Sequence, residues 1–307
     1  MTTVGRTIPG GEAPNPAEGV EGRAPQRRAH VSRWRGMVCE ADVDSVAAED
    51  PLQILVNGSP LGVVMRTPGH DLELALGLLH GEGLLRSAGD VVKVRIAPGG
   101  QHDPADAAFP IEWQPLAENL VDVQLREQPG MEPAGWQRHL VSASACGICG
   151  ATTIEALEHD WPPVPVSGRI EPGVLYALPD ALRCSQAVFA ATGGLHAAGL
   201  FSLTGELICL REDVGRHNAV DKIVGRGLLA GDLPLQGCCL MLSGRAGFEI
   251  LQKAAAAGLP VVAAVSAPSS LAVETASRFG VTLVGFLRGE GMNVYSVPER
   301  VAVPQPK

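Results

Sequence analysis

The chain has 307 residues, of which 46% are hydrophobic and only 4% aromatic, and a formal net charge of -9 at pH 7. That apolar content suffices for one large core or two modest ones. The acidic balance excludes a nonspecific nucleic-acid coat, and the scarcity of aromatic rings excludes a stacking platform for single strands. Seven cysteines at irregular spacing form no disulfide framework and point to a reducing, cytoplasmic setting.

Met1 to Ala29 is rich in Gly, Pro, Glu and Arg and has no apolar stretch. It is expected to be a disordered tail, with residues 1–30 outside the fold. No run is long and apolar enough to cross a bilayer, so no membrane partner is expected. Leu52–Val56 and Leu61–Met65 flank Asn57-Gly58, the signature of a tight hairpin. Thr67-Pro68 is expected to open a helix with Thr67 as N-cap; Leu72, Ala75, Leu76 and Leu79 fall at helical spacing, and Gly81 or Gly83 closes it. Val91–Ile96 and Leu120–Leu125 are read as strands. Together these elements predict a small α+β domain over 31–140. Residues 141–160 form a loop, part of a long connector from Glu127 to Ala151.

Beyond Trp161 strands and helices alternate. A helix is expected over Asp180–Ala191, then a hairpin, Ala198–Leu203 and Leu207–Leu210, turned at Thr204-Gly205. Helices follow over Asn218–Leu229, Phe248–Ala257 and Ser269–Phe279, interleaved with strands Cys238–Leu242, Val261–Val265 and Val281–Phe286. This order predicts an α/β domain over 161–307, built on a mixed sheet covered by helices on both faces.

Five segments carry chemistry. Ser144-Ala145-Cys146-Gly147-Ile148-Cys149-Gly150 holds two thiols at C-x-x-C spacing among glycines. A zinc knuckle would need a second ligand pair, which the chain lacks. A redox pair should follow a strand and open a helix. An inert pair is disfavoured because exposed thiols are a liability, and the balance favours sulfur transfer through a persulfide. Thr192-Gly-Gly-Leu-His196-Ala-Ala198 has the outline of a zinc deaminase element, but Ala198 stands where the proton-transferring Glu is needed. Deaminase chemistry is disfavoured. Arg211 to Asn218 packs charge at a strand-to-helix junction, where Arg216 and His217 oppose the helix dipole unless an anion binds there. Pairing with Glu212 and Asp213 is the bland alternative. Ser243-Gly-Arg245-Ala-Gly247 frees backbone N–H groups beside a cation, without being a Walker loop. Phe286-Leu287-Arg288-Gly289-Glu290-Gly291 leaves the last long strand with one cation and one anion; Arg288 suits a phosphate and Glu290 a base edge. A plain charged turn is the alternative.

Together, and in this order, these blocks resemble the formate dehydrogenase accessory sulfurtransferases of the FdhD type. The supporting stretches include Arg211 to Lys222, Ser243 to Glu249 and Val265-Ser-Ala-Pro-Ser-Ser-Leu271, and the resemblance runs from about Leu52 to Tyr295. It implies a larger domain with a cytidine-deaminase-like fold but no deaminase activity. It also implies a cytoplasmic sulfur carrier that takes sulfur from a cysteine desulfurase and delivers it to the bis-molybdopterin guanine dinucleotide form of the molybdenum cofactor. That cofactor is destined for formate dehydrogenase. Cys146 would carry the persulfide with Cys149 as its partner, and Phe286 to Gly291 would bind the cofactor. Arg216, His217, Arg245 and Arg288 are the cationic candidates for its phosphates. A homodimer is implied too, while nucleic acid and a resident metal are not. The competing function is a cofactor-binding chaperone whose C-x-x-C binds zinc or acts as a redox switch. A disulfide oxidoreductase is a third.

Overall fold

The computed structural model describes residues 24–96, 107–113, 119–126, 161–166 and 168–302. The first two strands, β1 (Gln26–Arg35) and β2 (Val38–Ala47), pair only with each other. Strand β1 therefore begins inside the segment expected to be a tail, because Arg and His residues are tolerated on a ribbon whose faces meet water. Its base is fastened by Arg27 to Asp50, 2.6 Å apart.

Next comes a five-stranded mixed sheet, ordered β4-β3-β7-β5-β6, from β3 (Asp50–Val56), β4 (Ser59–Arg66), β5 (Val91–Ile96), β6 (Ile111–Trp113) and β7 (Leu120–Leu125). The β3–β4 hairpin turns at Asn57 and Gly58, with φ of 52° and 78°, as Asn-Gly permits. Asn57 also accepts from the Leu125 amide through its side chain, at 2.8 Å, tying the turn to β7.

Helix α1 (Asp71–Gly81) is buried at every position from Leu72 to Gly81. A helix enclosed on all sides needs apolar residues around its whole circumference, and Leu72, Leu74, Leu76, Leu78 and Leu79 supply them. The structure moves its start. His70, at φ 57°, is the N-cap, whereas Thr67 uses its hydroxyl to accept from the Val214 amide at 3.1 Å. Thr67 is thus a contact to the far half of the molecule, which local sequence could not show.

The second half is a six-stranded mixed sheet, ordered β13-β12-β11-β10-β8-β9. Its strands are β8 (His196–Ser202), β9 (Leu207–Asp213), β10 (Cys238–Leu242), β11 (Val261–Ala264), β12 (Thr282–Arg288) and β13 (Gly291–Ser296). The central three, β10, β11 and β12, are mutually parallel. Their side chains alternate between two cores. Cys239 and Met241 face α2 (Pro172–Ser185), while Leu240 and Leu242 face α4 (Arg216–Ala230), α5 (Phe248–Ala256) and α6 (Ser270–Arg278). Helices therefore cover both faces, as the alternation predicts. The helix expected from Asp180 is two: α2 starts earlier, at Pro172, and stops at Gln186, and the short α3 (Ala187–Thr192) follows. Pro172 at the helix start is the signal that the expectation missed. Strand β13 was missed as well.

Among the described residues there are six α-helices and two mixed sheets. Helix α1 lies between the five-stranded sheet and α4, and Leu228 and Leu229 of α4 join its core. No helix among the described residues is long and apolar enough to cross a membrane.

Candidate functional site

Strand direction brings five chain crossings to one edge of the larger sheet. The parallel strands β10, β11 and β12 end there, β9 ends there at Asp213, and the antiparallel β8 begins there at His196. Ligands of open α/β sheets sit beyond the carboxyl ends of strands. Helices α4, α5 and α6 each start from this edge, after Gly215, Gly247 and Ser269. Three sets of free amide N–H groups and three positive helix ends therefore face one region.

The loops are braced against each other. Ser243 accepts from the Ala197 amide through its hydroxyl at 2.8 Å, and its own amide donates to the Ala197 carbonyl at 3.0 Å. The Ser269 amide donates to the Ala246 carbonyl at 3.1 Å, and its hydroxyl accepts from Ala272, capping α6. A side chain at Gly244 would press on the His196 ring, 3.2 Å from Nδ1. Glycine thus lets the loop lie against the His196 ring without displacing it.

Phe286 stands in the left-handed region at φ 52°, beside an irregularity in the β12–β13 ladder. A bulky aromatic residue is strained there, by about 1–3 kcal/mol. Its amide donates to the Ser266 carbonyl at 3.1 Å, which holds the twist, and its ring remains 42% exposed. Arg288 donates through Nε to the Val265 carbonyl at 3.1 Å, and its guanidinium carbon lies 6.0 Å from the Phe286 ring centroid. Gly289, at φ 51°, and Glu290 form the exposed turn to Gly291. Leu287 departs from expectation: its side chain is wholly buried in the core with α2, because alternation sends it to the opposite side from the neighbouring ring.

Arg245 is exposed on the β10–α5 loop. Arg216 opens α4 with a buried Nε that has no hydrogen-bond partner. Burial and the Arg216 guanidinium push the His196 pKa down. His217 corrects a second expectation. Burial, reinforced by Arg216 and Lys253, lowers its pKa to about 3, so it is neutral at physiological pH and offers no charge to a phosphate. Its Nε2 lies 3.3 Å from Glu249 Oε2, a polar contact rather than an ion pair. The cations of this edge are Arg216, Arg245 and Arg288.

The charged run Arg211 to Asn218 divides in two. Its first half is used internally. Arg211 grips Glu73 of α1, with Nη2 to Oε1 at 2.7 Å, and Glu212 accepts from the Val188 and Phe189 amides at the start of α3. Asp213, fully buried, meets Lys222 Nζ at 2.7 Å. It also accepts from the amides of Thr67 and Gly215 and from Asn218 Nδ2. Lys222 in turn donates to the Thr67 carbonyl at 3.0 Å. The second half, Arg216 and His217, faces the edge. The latch of Thr67, Asp213, Asn218 and Lys222 was not legible in sequence, since its halves are about 150 residues apart.

Cys146 and Cys149 lie outside the described residues. Among those described, no group of three His, Cys, Asp or Glu side chains is placed to hold a metal ion.

What the fold and this edge define is a mixed α/β protein with a glycine-containing rim of three arginines and a strained, exposed aromatic ring. The sequence model of the FdhD/NarQ family matches residues 47–302. The sulfur carrier protein FdhD of Streptomyces avermitilis is 46% identical over 289 residues, spanning 92% of this chain and 97% of the relative. That of Sulfolobus acidocaldarius is 42% identical over 275 residues, 90% of this chain and 98% of its own. A crystal structure of a candidate formate dehydrogenase accessory protein from Desulfotalea psychrophila superposes with a TM-score of 0.71 at 25% identity, covering 91% of this chain and 100% of that one. The chain belongs to the FdhD/NarQ family.

Proposed function

We propose that this protein is a sulfur carrier serving formate dehydrogenase, a sulfurtransferase that loads sulfur on Cys146 and delivers it to a guanylated molybdopterin held at the carboxyl edge. The observation that carries the reading is Phe286: a strained, exposed ring beside Arg288 is a surface on which a base can stack, with a cation for the adjoining phosphate. The cargo is the bis-molybdopterin guanine dinucleotide form of the molybdenum cofactor. Its phosphates fit the amide groups in the first turns of α5 and α6 and the charges of Arg216, Arg245 and Arg288. Glu290, on the exposed turn, is within the same segment for a base edge. His217 adds a neutral polar wall.

The donor in this reading is a cysteine desulfurase, and the recipient of the finished cofactor is formate dehydrogenase. Cys146 accepts a sulfur atom as a persulfide. When the Cys149 thiolate attacks the inner sulfur, a Cys146–Cys149 disulfide forms and the outer sulfur departs as sulfide; two equivalents of an external thiol then restore both cysteines and leave as that thiol's own disulfide. The two cysteines thus supply the electrons that reduce the sulfane sulfur. The protein works in the cytoplasm as a pair of identical chains.

The reduced protein is incubated with desulfurase and cysteine, and its intact mass is measured. A gain of one sulfur atom, mapped to Cys146 and lost in Cys146→Ala, is the expected result. Stoichiometric zinc without a sulfur adduct would instead favour the chaperone reading. GDP, as a stand-in for the guanylated half, is expected to bind wild type and to bind Phe286→Ala about 10-fold or more weakly, as loss of one stacked base predicts.

A further inference from the structure

The amide-rich edge of the larger sheet has a counterpart at the far end of its helices. Helices α4 and α5 start at that edge, and their last turns meet the last turn of α1 about 22 Å away along α4. A cavity of about 400 Å³ opens there, a volume that suits a small molecule. His80 of the last turn of α1, Leu228 of the last turn of α4 and Ala256, the last residue of α5, line it. Leu233 and Pro234 complete its apolar wall, and the exposed Arg86 stands at its mouth. Three helix ends give this cavity free carbonyl groups and negative dipole ends, the reverse of the arrangement at the sheet edge.

His80 is 2% exposed, and its Nε2 has no hydrogen-bond partner. Its Nδ1 lies 2.7 Å from the Leu85 carbonyl oxygen, which can only accept, so the ring carries its N–H at Nδ1. Burial keeps the ring neutral, against the pull of the Ala256 and Leu85 carbonyls. Nε2 therefore presents a lone pair. The neighbouring Ala256 carbonyl lacks its helical donor too, because the residue four positions on is Pro260, which has no N–H. Two buried acceptors thus share one space without a donor, and buried polar groups call for a partner. Trp161 packs on the imidazole, ring centroids 5.2 Å apart, and fixes the direction of the lone pair. The nearest buried cation is engaged elsewhere: Lys253 Nζ meets Asp221 at 2.6 Å. We propose that this cavity binds a small organic amine in its ammonium form, its nitrogen between His80 Nε2 and the Ala256 carbonyl and its apolar body against Leu228, Leu233 and Pro234. This site is separate from the sheet edge and does not depend on the sulfur-carrier reading.

The full-length protein, labelled with nitrogen-15 at histidine, is titrated with benzylamine near neutral pH, where the amine is cationic. Benzyl alcohol, a neutral molecule of the same shape, is titrated in parallel. Benzylamine is expected to shift one histidine Nε2 resonance saturably, the one missing in His80→Gln, and to bind at least tenfold more tightly than the alcohol. Leu233→Trp fills the cavity from a partly exposed position. It is expected to weaken benzylamine at least tenfold, with circular dichroism showing the fold intact and the His80 resonance still present. No saturable binding of benzylamine to wild type overturns the proposal and leaves water as the donor between the two acceptors. Binding that leaves the His80 resonance unmoved, or that is unchanged in Leu233→Trp, overturns it as well, since the probe then sits on the acidic surface. Equal affinity for benzyl alcohol overturns the cationic ligand. GDP binding at the sheet edge, measured on the same samples, distinguishes failure of this site from failure of the other.

Discussion

Gly225 of α4 touches Glu73 of α1: a Cβ added at Gly225 would stand 1.7 Å from the Glu73 carbonyl oxygen, and one at Gly77 1.9 Å from that of Asp221. Two helices from opposite halves of the chain therefore meet backbone to backbone. The obstacles are main-chain atoms, which no rotamer change can move aside. Gly225→Ala and Gly77→Ala are each expected to destabilise the protein by about 3 kcal/mol or more, at the upper end of overpacking costs. Urea unfolding of the purified variants checks this; a loss under about 1 kcal/mol would contradict the geometry.

The Asp213–Lys222 latch should behave as a buried ion pair. Lys222→Met leaves Asp213 enclosed without its cation and is expected to cost about 3–5 kcal/mol. Asp213→Asn keeps the shape but surrenders the charge that Lys222 faces. Because Gly215 and Asn218 are held by the same carboxylate, this variant should also loosen the α4 start. GDP affinity is then expected to fall under conditions where circular dichroism shows the variant still folded.

Phe286 separates stability from function. Phe286→Gly removes the left-handed penalty of about 1–2 kcal/mol together with the exposed ring. It is expected to be at least as stable as wild type in a thermal melt, while GDP binding falls about tenfold or more. A variant that melts lower and binds normally would show that the ring serves packing alone.

Acid should destabilise the fold in a defined window. His217 falls from an ordinary 6.5 to about 3 in the folded chain. The unfolded chain therefore binds the extra proton first, and stability rises with pH between those values. Its contribution is complete above pH 6.5 and is lost as pH falls toward 3. Glu73 is lowered to about 2 from 4.5; burial opposes this shift, and the hydrogen bonds to Arg211 and His70 outweigh it. Its contribution is complete above pH 4.5 and is lost toward pH 2. His217→Asn is expected to flatten the upper part of this profile and leave the lower part intact, measured as urea midpoints across both windows, from above the ordinary histidine value of 6.5 down to the Glu73 value of about 2.

Salt should act on the rim cations. Arg245 and Arg288 are exposed, so their attraction to a phosphate is screened within about 8–10 Å at physiological ionic strength. Arg288→Ala is expected to weaken GDP binding and to reduce its dependence on salt, as titrations at several salt concentrations would reveal.

Much of the α/β half was legible because its signals are local. Strands Cys238–Leu242 and Val261–Ala264 are unbroken apolar runs, and Gly258, at φ 70°, closes α5 as a glycine after a helix should. Where expectation failed, two local preferences competed. Thr67 has the chemistry of an N-cap, but the amide of Val214 claimed its hydroxyl. Leu287 sits inside the segment expected to bind a cofactor, but strand alternation turned it to the core. The ribbon β1–β2 gave no apolar alternation strong enough to outweigh its charges.

By itself the sequence determined the kind of chain this is: alternating elements, a glycine-flanked thiol pair, and ordered blocks that place it in a family. Those features depend on neighbours within a few residues. Only the tertiary structure decided that Arg216, Arg245 and Arg288 share one edge, that His217 is neutral, that Phe286 is strained and open, and that Thr67 locks Asp213. Each of these depends on residues far apart in the chain meeting in a medium of low polarity. Strand direction, burial and close helix contact set such meetings, and no local pattern encodes them.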